Sequence, residues 1–232
     1  MTTLDQVLER PRPRGLSLER LSLLALVLAL GLYALLPWLA PIFMRLGWEP
    51  AGRALYAIYS TQCHQMAQRS FFLFGPKAMY SMAELARAGV APDAMALRAF
   101  IGSPALGWKV AWSDRMASMY LSLFVFSAAA FRLGRRLPPL SIGPALALLV
   151  PMALDGGTHF LSDLVGLGQG FRDQNAWLAT LTGNVFPSSF YVGDALGSFN
   201  SWMRLLSGIL FGLALAWAAI PAIRRALAGT DA

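Results

Sequence analysis

Residues 21–40 read LSLLALVLALGLYALLPWLA, twenty consecutive positions without a charged side chain. A helix rising about 1.5 Å per residue covers about 30 Å over that length, the thickness of a bilayer's hydrocarbon core. The stretch therefore reads as a membrane-spanning helix, and it sets the reading of everything else. Residues 199–220, FNSWMRLLSGILFGLALAWAAI, form a second such block, with Arg204 as its charged residue. Residues 112–131 carry Asp114 and Arg115 near their start and are otherwise mostly apolar. Residues 138–160 form a fourth block, interrupted by Pro144, Pro151 and Asp155. Packed neighbours can accommodate such breaks. The predicted fold class is all-α: a polytopic membrane protein of about four transmembrane helices with an extracytoplasmic helical cap.

Composition agrees. The chain is 56% hydrophobic and 13% charged, about half the charged share of a soluble domain. The net charge of +7 invites a nucleic-acid reading, but the positions of the basic residues argue against one. Arg10, Arg12, Arg14 and Arg20 precede the first block, Arg132, Arg135 and Arg136 follow the second, and Arg224 and Arg225 follow the last. Clustering at span ends is the orienting signal of a membrane protein, with the basic side facing the cytoplasm. Four crossings place all three clusters on that side. Residues 161–198, with Arg172 against Asp163, Asp173 and Asp194, then lie outside. Residues 45–109 hold seven basic residues and point the other way, but long loops count weakly. Trp38, Trp48, Trp108, Trp112 and Trp202 fall at the expected outer boundary and Trp217 near the inner one, where amphipathic rings settle.

The expected organisation is a basic cytoplasmic tail (1–20), one membrane domain (21–222) and a short cytoplasmic tail (223–232). Within the domain, spans lie at about 21–40, 112–131, 138–160 and 199–220, an outer cap at 47–110 and an outer loop at 161–198. The first block is too long for a signal-peptide core, and Pro37, Trp38 and Pro41 replace a cleavage site, so it reads as a retained helix. The expected location is the bacterial cytoplasmic (inner) membrane, with both termini cytoplasmic. Cys63 is the only cysteine, which excludes an internal disulfide.

In the cap, Leu55, Ile58, Tyr59 and Gln62 recur at helical spacing, so residues 49–74 read as one helix, with Pro50 in its first turn. Pro76 and Gly89 bracket a second short helix, and residues 92–99 make a third. The glycines and Pro187 of residues 164–198 suggest an irregular loop.

Ionisable groups at membrane depth are costly and need partners. Four groups stand out: Cys63, His64, Gln65 and Arg69 on the expected cap helix; Asp114 and Arg115; Asp155, Thr158 and His159; and Asn200 and Arg204. Asp155 and His159 are one turn apart, as are Asn200 and Arg204, giving span three an acceptor stripe and span four a donor stripe. Arg115, Asp155 and Arg204 can form a buried network that fixes helix packing. Alternatively, two arginines against one carboxylate leave a positive surplus suited to an anion or a lipid headgroup. Cys63, His64 and His159 are candidate metal ligands, although neighbours on a helix point about 100° apart, so Cys63 and His64 would rarely share one ion. Ser207, Gly208 and Gly212 form a small-residue packing face. Gly156 and Gly157 suggest close helix contact or a loosened turn.

These same groups resemble a bacterial membrane family known as domain of unknown function 2085. The run Cys63-His64-Gln65-Met66-Ala67-Gln68-Arg69-Ser70-Phe71-Phe72 is similar to its opening motif. Residues 99–102, Gly107, Lys109, Arg115 and Tyr120 resemble its second element, Asp155-Gly156-Gly157-Thr158-His159 its third, and Asn200, Arg204 and Gly208 its last. The departures matter. Where the family carries a cysteine two residues before the arginine matched by Arg115, this chain has Ser113; the cysteine or aspartate after it is Met116. Ala67 replaces a proline and His159 a glutamine. If the family's cysteines and His64 build a metal or thiol site, half of it is missing here. The resemblance supplies no assigned activity and leaves any cofactor open.

The leading functional expectation is a non-enzymatic accessory or scaffold subunit of a larger membrane complex, with the bilayer and other membrane subunits as partners and no nucleic acid. The alternatives are an anion- or headgroup-binding or transport protein using the Arg115–Asp155–Arg204 cluster, and a metal-binding or redox protein centred on Cys63 and His159.

Overall fold

The computed structural model describes residues 17–228; most of the expected basic tail and the last four residues lie outside them. Among the described residues, four helices are long and apolar enough to cross a membrane: α1 (Leu18–Arg45), α5 (Asp114–Leu133), α6 (Ile142–Asp163) and α10 (Phe199–Ala228). Between α1 and α5 the cap contains α2 (Glu49–Tyr59), β1 (Ser70–Leu73), α3 (Met82–Arg87), α4 (Ala94–Ala99), β2 (Gly102–Ser103) and β3 (Gly107–Ser113). Between α6 and α10 a long connection carries α7 (Phe171–Gln174), α8 (Ala176–Leu181) and α9 (Ser188–Tyr191). The molecule is mostly helical, as expected. The cap also contains a small antiparallel sheet, ordered β1-β3-β2, that the helical reading does not include.

That sheet corrects the reading of residues 49–74 as one helix. The helix stops at Tyr59, and the chain turns through residues 60–66, with Gln65 left-handed at φ 50°. It then extends as Ser70–Leu73. Phe71, Phe72 and Leu73 meet β3, whose Trp108, Val110 and Trp112 also suit a pleated surface. Phe72 pairs with Lys109 and Ser70 with Ser113, with a register shift between them. Trp112 therefore belongs to the sheet, and α5 begins two residues later, capped by Ser113 accepting from the Met116 amide. The short helices follow their local signals: Ser81 and Glu84 form a capping box on α3, and Asp93 caps α4.

The cap has a core of its own, with Met66, Phe72, Tyr80, Leu85, Val90 and Leu97 buried together. A second cluster fastens it to the bundle: Ala40 and Met44 of α1, Tyr56 and Tyr59 of α2, Cys63, and Val110 and Trp112 of β3.

In the bundle α10 packs against both α5 and α6, and α1 packs against α5. The closest approach uses the small-residue face of α10. A Cβ at Gly208 would overlap Ser118 Oγ, and one at Gly212 would overlap Ser122 Oγ. Ser118 and Ser122 donate to the carbonyls of Arg204 and Gly208 across this seam. Small residues allow such approach where lipid offers no hydrophobic drive for association. Gly156 and Gly157 differ from each other: α6 runs unbroken through both, but a Cβ at Gly156 would meet Arg115 Nη1 at 3.2 Å, whereas nothing lies within 4 Å of one at Gly157. Pro144 falls in the first turn of α6, where its missing N–H has no intrahelical acceptor to lose, so Pro151 is the interior proline of that helix.

Candidate functional site: the polar cluster beneath the cap

Because successive long helices run in opposite directions, the end of α1, the start of α5, the end of α6 and the start of α10 meet beneath the cap. The polar residues singled out from sequence gather there, but their pairing differs from the expected one. Arg204 does not pair with Asp155. Its Nε lies 2.8 Å from both carboxylate oxygens of Asp114, and its Nη1 lies 2.6 Å from Asp194 Oδ1. Arg69 Nε donates to the other Asp194 oxygen at 2.7 Å, while Nη1 and Nη2 grip Asp163 at 2.7 and 2.9 Å. Asp163, Arg69, Asp194, Arg204 and Asp114 thus form one chain of ion pairs joining cap, connection, α5, α6 and α10.

Asp155 anchors a second group. Its oxygens accept from Arg115 Nη2 and Arg172 Nη2, each at 2.7 Å. Arg172 comes from α7 and is buried. It also donates to Thr158 Oγ1 at 2.9 Å and Asn200 Oδ1 at 3.1 Å, and it stacks on Phe199. Asn200 Nδ2 returns two bonds, to the carbonyls of Arg172 and Gly193. Arg172 therefore hooks the α6–α10 connection into the bundle. Ser207 Oγ, 3.4 Å from both Asp155 Oδ2 and the Arg204 carbonyl, lies between the two groups.

Four arginines and four aspartates are joined in these ion pairs. The positive surplus expected for Arg115, Asp155 and Arg204 disappears once Asp114, Asp163 and Asp194 are counted. Burial alone would raise the Asp194 carboxyl, but the guanidiniums of Arg204 and Arg69 hold it well below the usual carboxylate range. Burial alone would likewise lower Arg69, and its two aspartates raise it instead.

Cys63, His64 and Gln65 lie in the turn after α2 rather than on a helix. Cys63 is buried, and its Sγ accepts from the amides of Gln65 and Ser113, both at 3.4 Å. His64 is exposed. Gln65 donates to the Tyr56 carbonyl, and its own carbonyl accepts from Lys109 Nζ at 2.6 Å. Lys109 is fully buried and also donates to the Arg98 carbonyl. Burial pushes its ammonium down to about 7.

A cavity of about 590 Å³ opens between this turn and the bundle, with Cys63, Arg98, Arg115, His159 and Asp163 among its walls. His159 is buried. Its Nε2 lies 3.2 Å from Arg172 Nη2, which only donates, so Nε2 accepts and the ring proton belongs on Nδ1. Neither Nδ1 nor Arg115 Nε has a partner among the described residues. No three His, Cys, Asp or Glu side chains among the described residues are grouped to hold a metal ion, so Cys63, His64 and His159 do not assemble as a ligand set.

Arg172, Asp163, Asp194 and Lys109 are not among the site residues that the sequence singles out. The first three figure there as loop charges in the topology argument. The available signal is one arginine among three aspartates in a loop with no other charged residue.

The family described as "Predicted membrane protein (DUF2085)" matches residues 104–218. That range holds most of the ion-pair cluster and leaves Cys63 and Arg69 outside. An uncharacterized protein of Methanocaldococcus jannaschii, MJ1492, is 30% identical over 163 residues, covering 67% of this chain and 80% of the relative. No solved structure matches. With four membrane-length helices, these similarities identify the chain as a member of the domain of unknown function 2085 family of integral membrane proteins.

Proposed function

We propose that this protein is a non-enzymatic accessory or scaffold subunit of a larger complex in the cytoplasmic membrane, with the cap outside and both termini in the cytoplasm. The observation that carries the reading is the charge-balanced cluster beneath the cap. Its arginines and aspartates hold one another, an arrangement suited to fixing a shape. That shape presents the α6–α10 connection, where Trp177, Leu181, Val185 and Phe186 are exposed. Such residues suit contact with another membrane subunit. The orientation is supported by Arg132, Arg135, Arg136, Arg224 and Arg225 at the end away from the cap. Purification in mild detergent from native membranes tests the role: defined partner chains should copurify, and a lone monodisperse 25.1 kDa particle would count against it. A cysteine placed at His64, in a Cys63→Ser background, should react with an impermeant thiol reagent on intact cells.

A second reading, binding of a small anion or headgroup in the cavity beneath the cap, is favoured by the unpartnered donors at His159 Nδ1 and Arg115 Nε. Phosphate binding to the purified protein that survives unchanged in Arg115→Ala would remove that pocket from consideration.

A further inference from the structure

We infer that the end of the bundle opposite the cap holds a second site, for a phosphate group, supplied in the bilayer by the headgroup of an acidic phospholipid. A cavity of about 510 Å³ lies there between the α5–α6 connection and the last turns of α10. Arg135, Arg224 and Arg225 line it, with Leu137, Pro138 and Pro221 among its apolar walls.

Arg224 carries the inference. It is 6% exposed. Its Nε donates to Glu19 at 3.0 Å and its Nη2 to the Phe131 carbonyl at 3.2 Å, while Nη1 has no partner among the described residues. A buried charged donor left without an acceptor has lost its water and gained nothing in return. An anionic oxygen in the cavity would satisfy it. Glu19 is shared, reaching Arg224 and, at 3.7 Å, Arg135. Among the described residues, one carboxylate against three arginines leaves a surplus of positive charge, in contrast to the balanced cluster beneath the cap. Guanidinium forks match phosphate oxygens.

The position selects the source. Arg204 and Arg224 are twenty residues apart on α10, about 30 Å along the helix. That is the thickness of the hydrocarbon core. With Arg204 at the cap boundary, Arg224 lies at the opposite headgroup level, where basic pockets between spans hold acidic headgroups. Trp217 Nε1 donates to the Pro138 carbonyl at 2.9 Å and fixes the connection against α10, so the cavity has a built wall.

The test uses the full chain in detergent. Retention of phosphatidylglycerol and of phosphatidylcholine is compared by native mass spectrometry, with and without inorganic phosphate. Phosphatidylglycerol should be retained in preference, and its apparent affinity should fall at least tenfold in Arg224→Gln. The double variant Arg135→Gln/Arg225→Gln alters side chains on the exposed rim, leaves the Arg224–Glu19 pair intact, and should weaken binding in the same sense. Displacement by millimolar phosphate, lost in the same variants, would assign the site to soluble phosphate and overturn the lipid source while keeping the phosphate chemistry. Equal retention of both lipids, or unchanged binding of phosphatidylglycerol and phosphate in the double variant, would overturn the site altogether.

Discussion

Cys63 Sγ and Ser113 Oγ lie 3.6 Å apart although fifty residues separate them in the chain. The turn after α2 and the end of β3 bring them together. The resemblance read from the sequence implies a cysteine where this chain has Ser113. A cysteine at position 113 of this chain would therefore stand face to face with Cys63.

Replacement of Ser113 by cysteine should let this pair close. Oxidation of the Ser113→Cys variant is expected to form a disulfide between Cys63 and the introduced thiol, seen as loss of both thiols to a maleimide reagent and recovery after reduction. Two freely reactive thiols under oxidising conditions would show that the turn and β3 are not adjacent in solution.

Arg204 sits between two buried carboxylates, with Asp114 fully buried and Asp194 5% exposed. Arg204→Ala leaves both without this partner, and removing one side of a buried pair typically costs about 3–5 kcal/mol. Denaturant titration in detergent should show a loss of that order. Arg204→Lys should recover only part of it, because an ammonium lacks the fork that reaches both acids. Wild-type stability in Arg204→Ala would mean that the cluster does not fix the bundle.

Two glycines should respond oppositely to a side chain. In Gly212→Val the Cβ overlaps Ser122 Oγ and meets the Leu123 amide at 2.6 Å, so α5 and α10 must separate, at a cost of about 1–3 kcal/mol. Gly157→Ala projects into open space and should be neutral or stabilising by about 0.5–1 kcal/mol through helix propensity. Equal effects of the two, measured by thermal melts, would contradict the observed seam.

Lys109 should make the stability of the cap depend on pH. Burial lowers its folded value to about 7 from an ordinary 10.5. Between those values the unfolded chain keeps a proton that the folded cap has released, so stability rises with pH across that window. Below about pH 7 both states are protonated and this contribution levels off at its least favourable. Lys109→Met should flatten the rise in a pH series of tryptophan-fluorescence melts; an identical slope in the variant would assign the effect elsewhere.

The spans are legible from sequence because a twenty-residue apolar run is a local property, and residues 21–40 need no neighbour to be insoluble in water. The end of α1 is less legible: the helix continues through Pro37 and Pro41 to Arg45, since packing against α2 and the cap continues there. Residues 70–73 are ambiguous for a related reason. Phe71 and Phe72 fit a helix face or a strand, and only pairing with β3 decides between them. The small-residue face of α10 is readable because three- and four-residue spacing states which side chains share a face.

Composition and residue order suffice for a membrane protein of four helices whose polar residues collect at the helix ends, because hydrocarbon excludes charge whatever the fold. Which charges meet is a matter of packing. Arg204 chooses Asp114 and Asp194 over Asp155, and Arg69 reaches Asp194 across 125 positions. Ion pairing depends on distances of a few ångströms between segments remote in the chain, and no spacing along one helix encodes them.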